Sequence, residues 1–155
     1  MKVFATLAAV ALAAVASALM AGTASAAPPS CHGHTATMTG TSGADVIIGT
    51  NGRDVIVARR GDDTIRARGG RDLVCAGRGD DTVSGGSRSD RVYAGRGADG
   101  VSGGAAADRL FGQTGRDELL GSRGRDFLSG GRGFDEGFGG PGTDTCRSIE
   151  LGHSC

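Results

Sequence analysis

The chain has 155 residues, 30 of them glycine, with no tryptophan, one tyrosine, and 17 basic side chains against 17 acidic ones. Balanced charge produces no net field, which argues against nucleic acid or an anionic membrane as a partner held by overall charge. At this length one domain fits better than two.

Residues 1–26 run from Lys2 through an alanine-rich apolar stretch ending near Met20 to Ala24-Ser25-Ala26, with Pro28 and Pro29 just beyond. A basic start, an apolar run and a small-residue site in that order read as a secretory signal peptide. A membrane anchor is the alternative for a stretch of this length, but the alanine content and the cleavage-like site favour the signal. The mature chain is then secreted and extracellular, with no membrane span and no lysine. Its four cysteines, Cys31, Cys75, Cys146 and Cys155, are an even number in an exported protein and read as disulfides. Residues 27–39 precede any regular pattern and are assigned as an N-terminal cap segment.

From residue 40 to 148 the chain is a repeat. Aspartate recurs every nine residues without a slip, as Asp45, Asp54, Asp63, Asp72, Asp81, Asp90, Asp99, Asp108, Asp117, Asp126, Asp135 and Asp144. Glycine stands two residues before it (among others Gly43, Gly61, Gly79, Gly97, Gly115 and Gly133), except where Arg88 and Ala106 replace it. Two residues after it stands an aliphatic side chain in ten consecutive repeats, from Ile47 to Leu128, followed by Gly137 and Cys146. Glycine suits a tight loop that needs positive φ. In the short strand that follows, side chains alternate faces, so the aliphatic residue points inward.

The pattern G-G-x-G-x-D-x-U-x, with U aliphatic, resembles the RTX or hemolysin-type calcium-binding nonapeptide repeat. "GGSRSDRVY", "GGRGFDEGF" and "GGPGTDTCR" keep both leading glycines, while "ARRGDDTIR" and "ARGGRDLVC" have lost them. The resemblance implies an all-β parallel β-roll, a right-handed β-solenoid of about six 18-residue coils, with Ca²⁺ held between the turns of successive coils. Aspartates then fall on two edges. The first carries Asp45, Asp63, Asp81, Asp99, Asp117 and Asp135, each with its glycine, and is expected to bind calcium better. The second carries Asp54, Asp72, Asp90, Asp108, Asp126 and Asp144; here Arg88 and Ala106 leave Asp54, Asp72, Asp126 and Asp144 as its expected ligands. Six loops per edge leave five gaps, so ten ions is the ceiling. Stacked carboxylates about 4.8 Å apart repel by roughly 0.9 kcal/mol per pair even at the dielectric constant of water. A hard cation with oxygen ligands removes that repulsion, so folding and calcium binding are expected to be coupled. Arg53, Arg71, Arg116 and Arg125, each directly before a periodic aspartate, are expected to neutralise part of the stack.

On such a roll Cys75 and Cys146 lie four coils apart, roughly 19 Å, beyond the reach of a disulfide. Cys31 and Cys155 lie at opposite ends. The remaining pairing is Cys31 with Cys75, fastening the N-terminal cap, and Cys146 with Cys155, closing a C-terminal cap loop at 149–155. Caps are needed because a solenoid end exposes core and strand edges. Val46, Ile48, Val55 and Val57 are expected to lie beneath the N-terminal cap, and Phe134, Gly137 and Phe138 fit a core that is closing.

Other signals are absorbed by the repeat. The two Arg-Gly-Asp triplets, at 60–62 and 78–80, and the GxGxxG match at 95–100 fall within its turns. His32, His34 and His153 neighbour cysteines that pair rather than bind zinc. No catalytic constellation stands outside the repeat, so no enzyme activity is expected. The reading is a secreted calcium-binding repeat protein with a scaffold role. An adhesin or matrix spacer module is the alternative, to which exposed Tyr93 and Phe111 are too scattered to contribute. Ice binding is a lesser one, since no file of threonine or asparagine persists along the coils.

Overall fold

The computed structural model describes residues 27–153 and 155; residues 1–26, read above as a signal peptide, lie outside the described residues. Among these residues there is no helix, and so none that could cross a membrane. A two-residue strand β1 (Ser30–Cys31) pairs antiparallel with β2 (His34–Thr35). Their turn holds His32 and Gly33 at φ of 47° and 83°, the double positive φ of a type I′ hairpin.

The rest is a parallel β-solenoid of about six turns with two seven-stranded sheets. The first sheet comprises β3 (Met38–Thr39), β5 (Val55–Arg60), β7 (Leu73–Arg78), β9 (Arg91–Arg96), β11 (Arg109–Gly115), β13 (Phe127–Gly133) and β15 (Thr145–Arg147). The second comprises β4 (Val46–Ile48), β6 (Thr64–Arg66), β8 (Thr82–Ser87), β10 (Gly100–Ala105), β12 (Glu118–Arg123), β14 (Glu136–Phe138) and β16 (Leu151–His153). Successive strands of a sheet pair at a register of 18 residues, as in Val74↔Val92 and Val101↔Leu119. Nine residues therefore carry the chain from one sheet to the other, and each repeat contributes one strand and one turn.

The core lies between the sheets. Ile56, Ile65, Val74, Val83, Val92, Val101, Leu110, Leu119 and Leu128 are at most 2% exposed, joined by Ala58, Ala67, Ala76 and Ala94. These are the aliphatic position and the inward position two residues after it, the period expected of a strand with one buried face.

Partly buried side chains from the first and last repeats, and from chain beyond them, pack against the core at its two ends. Met38 and Ile47 pack against the first coil, Cys146 and Ile149 against the last. Ile149 fills the space above Gly137, where a Cβ would meet its side chain at 3.0 Å. The disulfides are Cys31–Cys75 and Cys146–Cys155, with Cα atoms 5.8 and 5.7 Å apart, as the coil geometry required.

One expectation, that Val46 and Ile48 lie beneath the N-terminal cap, needs correction. The N-terminal hairpin covers the outer face of the first sheet instead of the mouth of the solenoid: Cys31 packs on Val55 and Leu73, with Val57, Cys75 and Tyr93 alongside. Val46 and Ile48, on the other sheet, stay 73% and 45% exposed. The segments assigned as caps also supply strands, since β3 and β16 both join the sheets.

Candidate metal centre

Every periodic aspartate sits at the end of a turn, immediately before a strand, and from Asp45 to Asp126 its backbone N–H and C=O both bond to the following coil, as when Asp63 donates to Asp81 and accepts from Thr82. Its carboxylate makes one contact that repeats along each edge: Oδ1 accepts a hydrogen bond from the backbone N–H of the aspartate 18 residues earlier. On the first edge the N–H groups of Asp45, Asp63 and Asp81 each donate to Oδ1 of the next aspartate at 2.8 Å, and those of Asp99 and Asp117 follow at 3.1 and 3.0 Å. On the second edge Asp54, Asp72, Asp90, Asp108 and Asp126 donate in the same way at 2.7–2.8 Å. The ladder thus ends on Asp144 at one edge. At the other Glu150 replaces the missing carboxylate, its Oε2 accepting from the Asp135 N–H at 2.7 Å.

The second oxygen is left over. Oδ2 of Asp63, Asp72, Asp81, Asp90, Asp99, Asp108, Asp117, Asp126, Asp135 and Asp144 is buried without a hydrogen-bond partner. That makes ten atoms, one for each gap between loops. Buried polar atoms are normally partnered, and an unpaired buried carboxylate oxygen is among the costliest to leave so. The two first-coil aspartates escape. Thr41 donates its N–H and hydroxyl to Asp45 Oδ2 at 2.6 and 3.0 Å, and Thr50 does the same for Asp54 at 2.7 and 3.1 Å.

Beside each orphaned oxygen the loop is shaped by the residue five positions before the aspartate. At Gly85 a Cβ would sit 2.8 Å from Asp90 Oδ2 and 2.7 Å from the carbonyl oxygen of Gly103 in the next coil. At Gly121 it would sit 2.7 Å from Asp126 Oδ2 and 2.5 Å from the Gly139 carbonyl. Gly103, Gly112 and Gly130 show the same convergence of a carboxylate and a carbonyl oxygen. In the loops of Asp63, Asp72, Asp81 and Asp99 this position is alanine, at Ala58, Ala67, Ala76 and Ala94.

Burial pushes these carboxyl groups above the ordinary aspartate range, with a smaller upward contribution from neighbouring aspartates, against the lowering effect of the backbone hydrogen bond. Asp90, Asp99 and Asp108, in the middle coils, reach about 7, and Asp81 and Asp117 about 6. Asp63, Asp72, Asp126 and Asp135 are raised for the same reasons. The charged form is therefore under stress wherever the stack is deepest.

Arginine does not relieve it. Among the described residues the one ion pair is Arg116 with Glu136, at 3.4 Å on the surface. Arg53, Arg71, Arg116 and Arg125 make none with the ladder, which corrects the expectation that they neutralise it. Nor do three or more His, Cys, Asp or Glu side chains converge on one point among the described residues. Any ion here must take much of its coordination from main-chain carbonyls, which suits a hard cation and not zinc.

The structure brings the residues singled out in the sequence into two continuous columns, and adds five that sequence reasoning missed. Asp90 and Asp108 occupy their ladder like the others because Arg88 and Ala106 adopt φ of 76° and 83°, the conformation glycine supplies elsewhere. Thr41, Thr50 and Glu150 end the ladders, but the first two carried no signal beyond their place in the first turns. Glu150 falls out of phase with the repeat. The family model for the RTX calcium-binding nonapeptide repeat matches the chain in four copies, over residues 39–74, 76–110, 102–137 and 111–146. No curated protein matches it.

Proposed function

The chain belongs to the RTX calcium-binding nonapeptide repeat family, and on that premise we propose a secreted calcium-binding scaffold without catalytic activity, whose two aspartate ladders bind Ca²⁺ in the course of folding. The observation that carries this reading is the row of ten buried, unpartnered Oδ2 atoms, five along each edge, several facing a carbonyl of the next coil. A bound Ca²⁺ supplies positive charge and six to eight oxygen contacts. The residues that would hold it are Asp63, Asp81, Asp99, Asp117 and Asp135 on the first edge and Asp72, Asp90, Asp108, Asp126 and Asp144 on the second. Asp45 and Asp54 would contribute at the first gap of each edge, beside the threonines that already engage them.

The glycines before each aspartate have a positioning role. Gly61, Gly79, Gly97, Gly115 and Gly133 take φ between 109° and 143°, and a Cβ on any of them would strike the backbone of the loop one coil earlier. Gly43, in the first loop, has open space around it. The two disulfides, which fit an oxidising extracellular compartment, fasten the N-terminal hairpin to the face of the first sheet and the C-terminal loop to β15.

Circular dichroism of the oxidised mature chain, titrated with Ca²⁺ from EGTA, tests the reading. A gain of β signal with Ca²⁺, not reproduced by Mg²⁺ at equal concentration, is the expected result. A spectrum indifferent to Ca²⁺ would remove the proposal.

A further inference from the structure

The formal neutrality of the chain conceals an uneven distribution of charge. Beside the second edge, on the first-sheet side, lies a groove of about 530 Å³ whose lining includes Arg53, Arg71, Arg91, Arg109 and His34. All five side chains are exposed, and none of the four guanidinium groups has an acidic partner. The repeat explains the geometry. Arg53 and Arg71 occupy the position before the aspartate in successive coils, and Arg91 and Arg109, paired in register, occupy the position after it two coils further on. Ser89 and Ala107 stand where two further arginines would continue the first column, so their small side chains open the groove between the two arginine pairs. Its acidic members, Asp72 and Asp90, are only 3% exposed and belong to the ladder.

The adjoining sheet face restricts what such a groove can take. His32, Tyr93 and Phe111 stack in sequence with centroids 3.8 and 4.8 Å apart, and Phe127 follows at 5.6 Å. The rings use their faces on one another. A nucleic-acid strand, which gains much of its affinity from bases stacking on free ring faces, finds none between His32 and Phe111. Recognition falls to planar guanidinium forks, which match carboxylate and sulfate groups in pairs of parallel hydrogen bonds.

We infer that this groove binds an acidic polysaccharide, its sulfate or carboxylate groups engaged by Arg53, Arg71, Arg91 and Arg109. The inference stands on surface residues outside the calcium ladder. It takes the calcium-loaded roll as its context, in which the Asp72 and Asp90 charges are compensated.

The test is binding of a heparin-derived hexasaccharide to the calcium-loaded chain at physiological salt. It compares the variant Arg53→Gln/Arg71→Gln/Arg91→Gln/Arg109→Gln with Arg60→Gln/Arg78→Gln/Arg96→Gln/Arg132→Gln, which removes equal charge from the first edge. Four exposed ion pairs correspond to a loss of about tenfold or more in the groove variant and less than about threefold in the control. The paired variant Arg91→Gln/Arg109→Gln, with an intermediate loss expected, serves if the fourfold change impairs folding. Calcium content measured in parallel separates loss of the saccharide from loss of metal. Equal losses in the two fourfold variants would overturn the inference, as would equal affinity for neutral dextran. Tighter binding of a single-stranded oligonucleotide of the same charge would also overturn it, in favour of nucleic acid.

Discussion

At the residue scale the central feature is an aspartate whose two oxygens have different fates, one in a backbone ladder and one buried and unpaired. Asp99→Asn separates them, because the amide oxygen still accepts from the Asp81 N–H while the second oxygen becomes NH₂. The expected outcome is a metal-free roll that melts at a higher temperature than the parent at pH 7 and binds fewer calcium ions, read by thermal unfolding with and without Ca²⁺. A parent melting higher in both conditions would contradict it.

The same burial sets a pH dependence. A carboxyl group whose pKa is higher folded than unfolded takes up protons on folding, so the metal-free roll gains stability as pH falls from about 7 toward about 4, through the range set by Asp90, Asp99 and Asp108. Calcium competes with those protons, so its affinity should fall over the same interval. Denaturant titrations of metal-free and loaded protein at pH 7 and pH 5 check both signs. Backbone strain is equally local. Ala106 holds φ at 83°, and Ala106→Gly should raise stability by about 1 kcal/mol, seen as a shift of the denaturation midpoint.

At the element scale the nine-residue period was legible throughout: the aliphatic position became the core, and the aspartates became two columns 18 residues apart. What the period did not reveal was anything decided by neighbours in space. Arg88 and Ala106 look like broken turns, yet the stacked coils hold them in the left-handed conformation. Tyr93 and Phe111 look scattered because they are 18 residues apart, and that spacing is what stacks them. His32, which completes the stack, comes from a hairpin outside the repeat. The pairing of cysteines was legible because a disulfide has a short fixed reach and a coil a fixed rise. The placement of the hairpin on a sheet face was not, since it depends on Val55 and Leu73 being exposed to it. Its disulfide closes a separation of 44 residues. Cys31→Ser/Cys75→Ser should therefore cost about 4 kcal/mol by the loop-entropy relation, measured by denaturation of both proteins in calcium. An unchanged midpoint would mean the hairpin adds nothing to the roll.

At the scale of the whole molecule, a narrow core with one large aliphatic side chain per repeat is flanked by two rows of buried carboxylates that repel one another. Disulfides fasten the hairpin to a sheet face and the C-terminal loop to the last coil, but nothing among the described side chains compensates the rows. On the proposed function a bound cation compensates them, and the converging carbonyls favour a hard divalent ion. Among the loops with an orphaned oxygen, those with glycine five residues before the aspartate, the loops of Asp90, Asp108, Asp117, Asp126, Asp135 and Asp144, leave room beside that oxygen. The loops of Ala58, Ala67, Ala76 and Ala94 place a methyl group there, so occupancy should be higher toward the C-terminal coils. Native mass spectrometry of the oxidised mature chain counts the ions directly. The expected result is a series of calcium adducts converging on about six to ten per chain, the range between the glycine-lined loops and all ten orphaned oxygens, with magnesium failing to reproduce it. A folded chain that carries one calcium ion or none at saturation would contradict it.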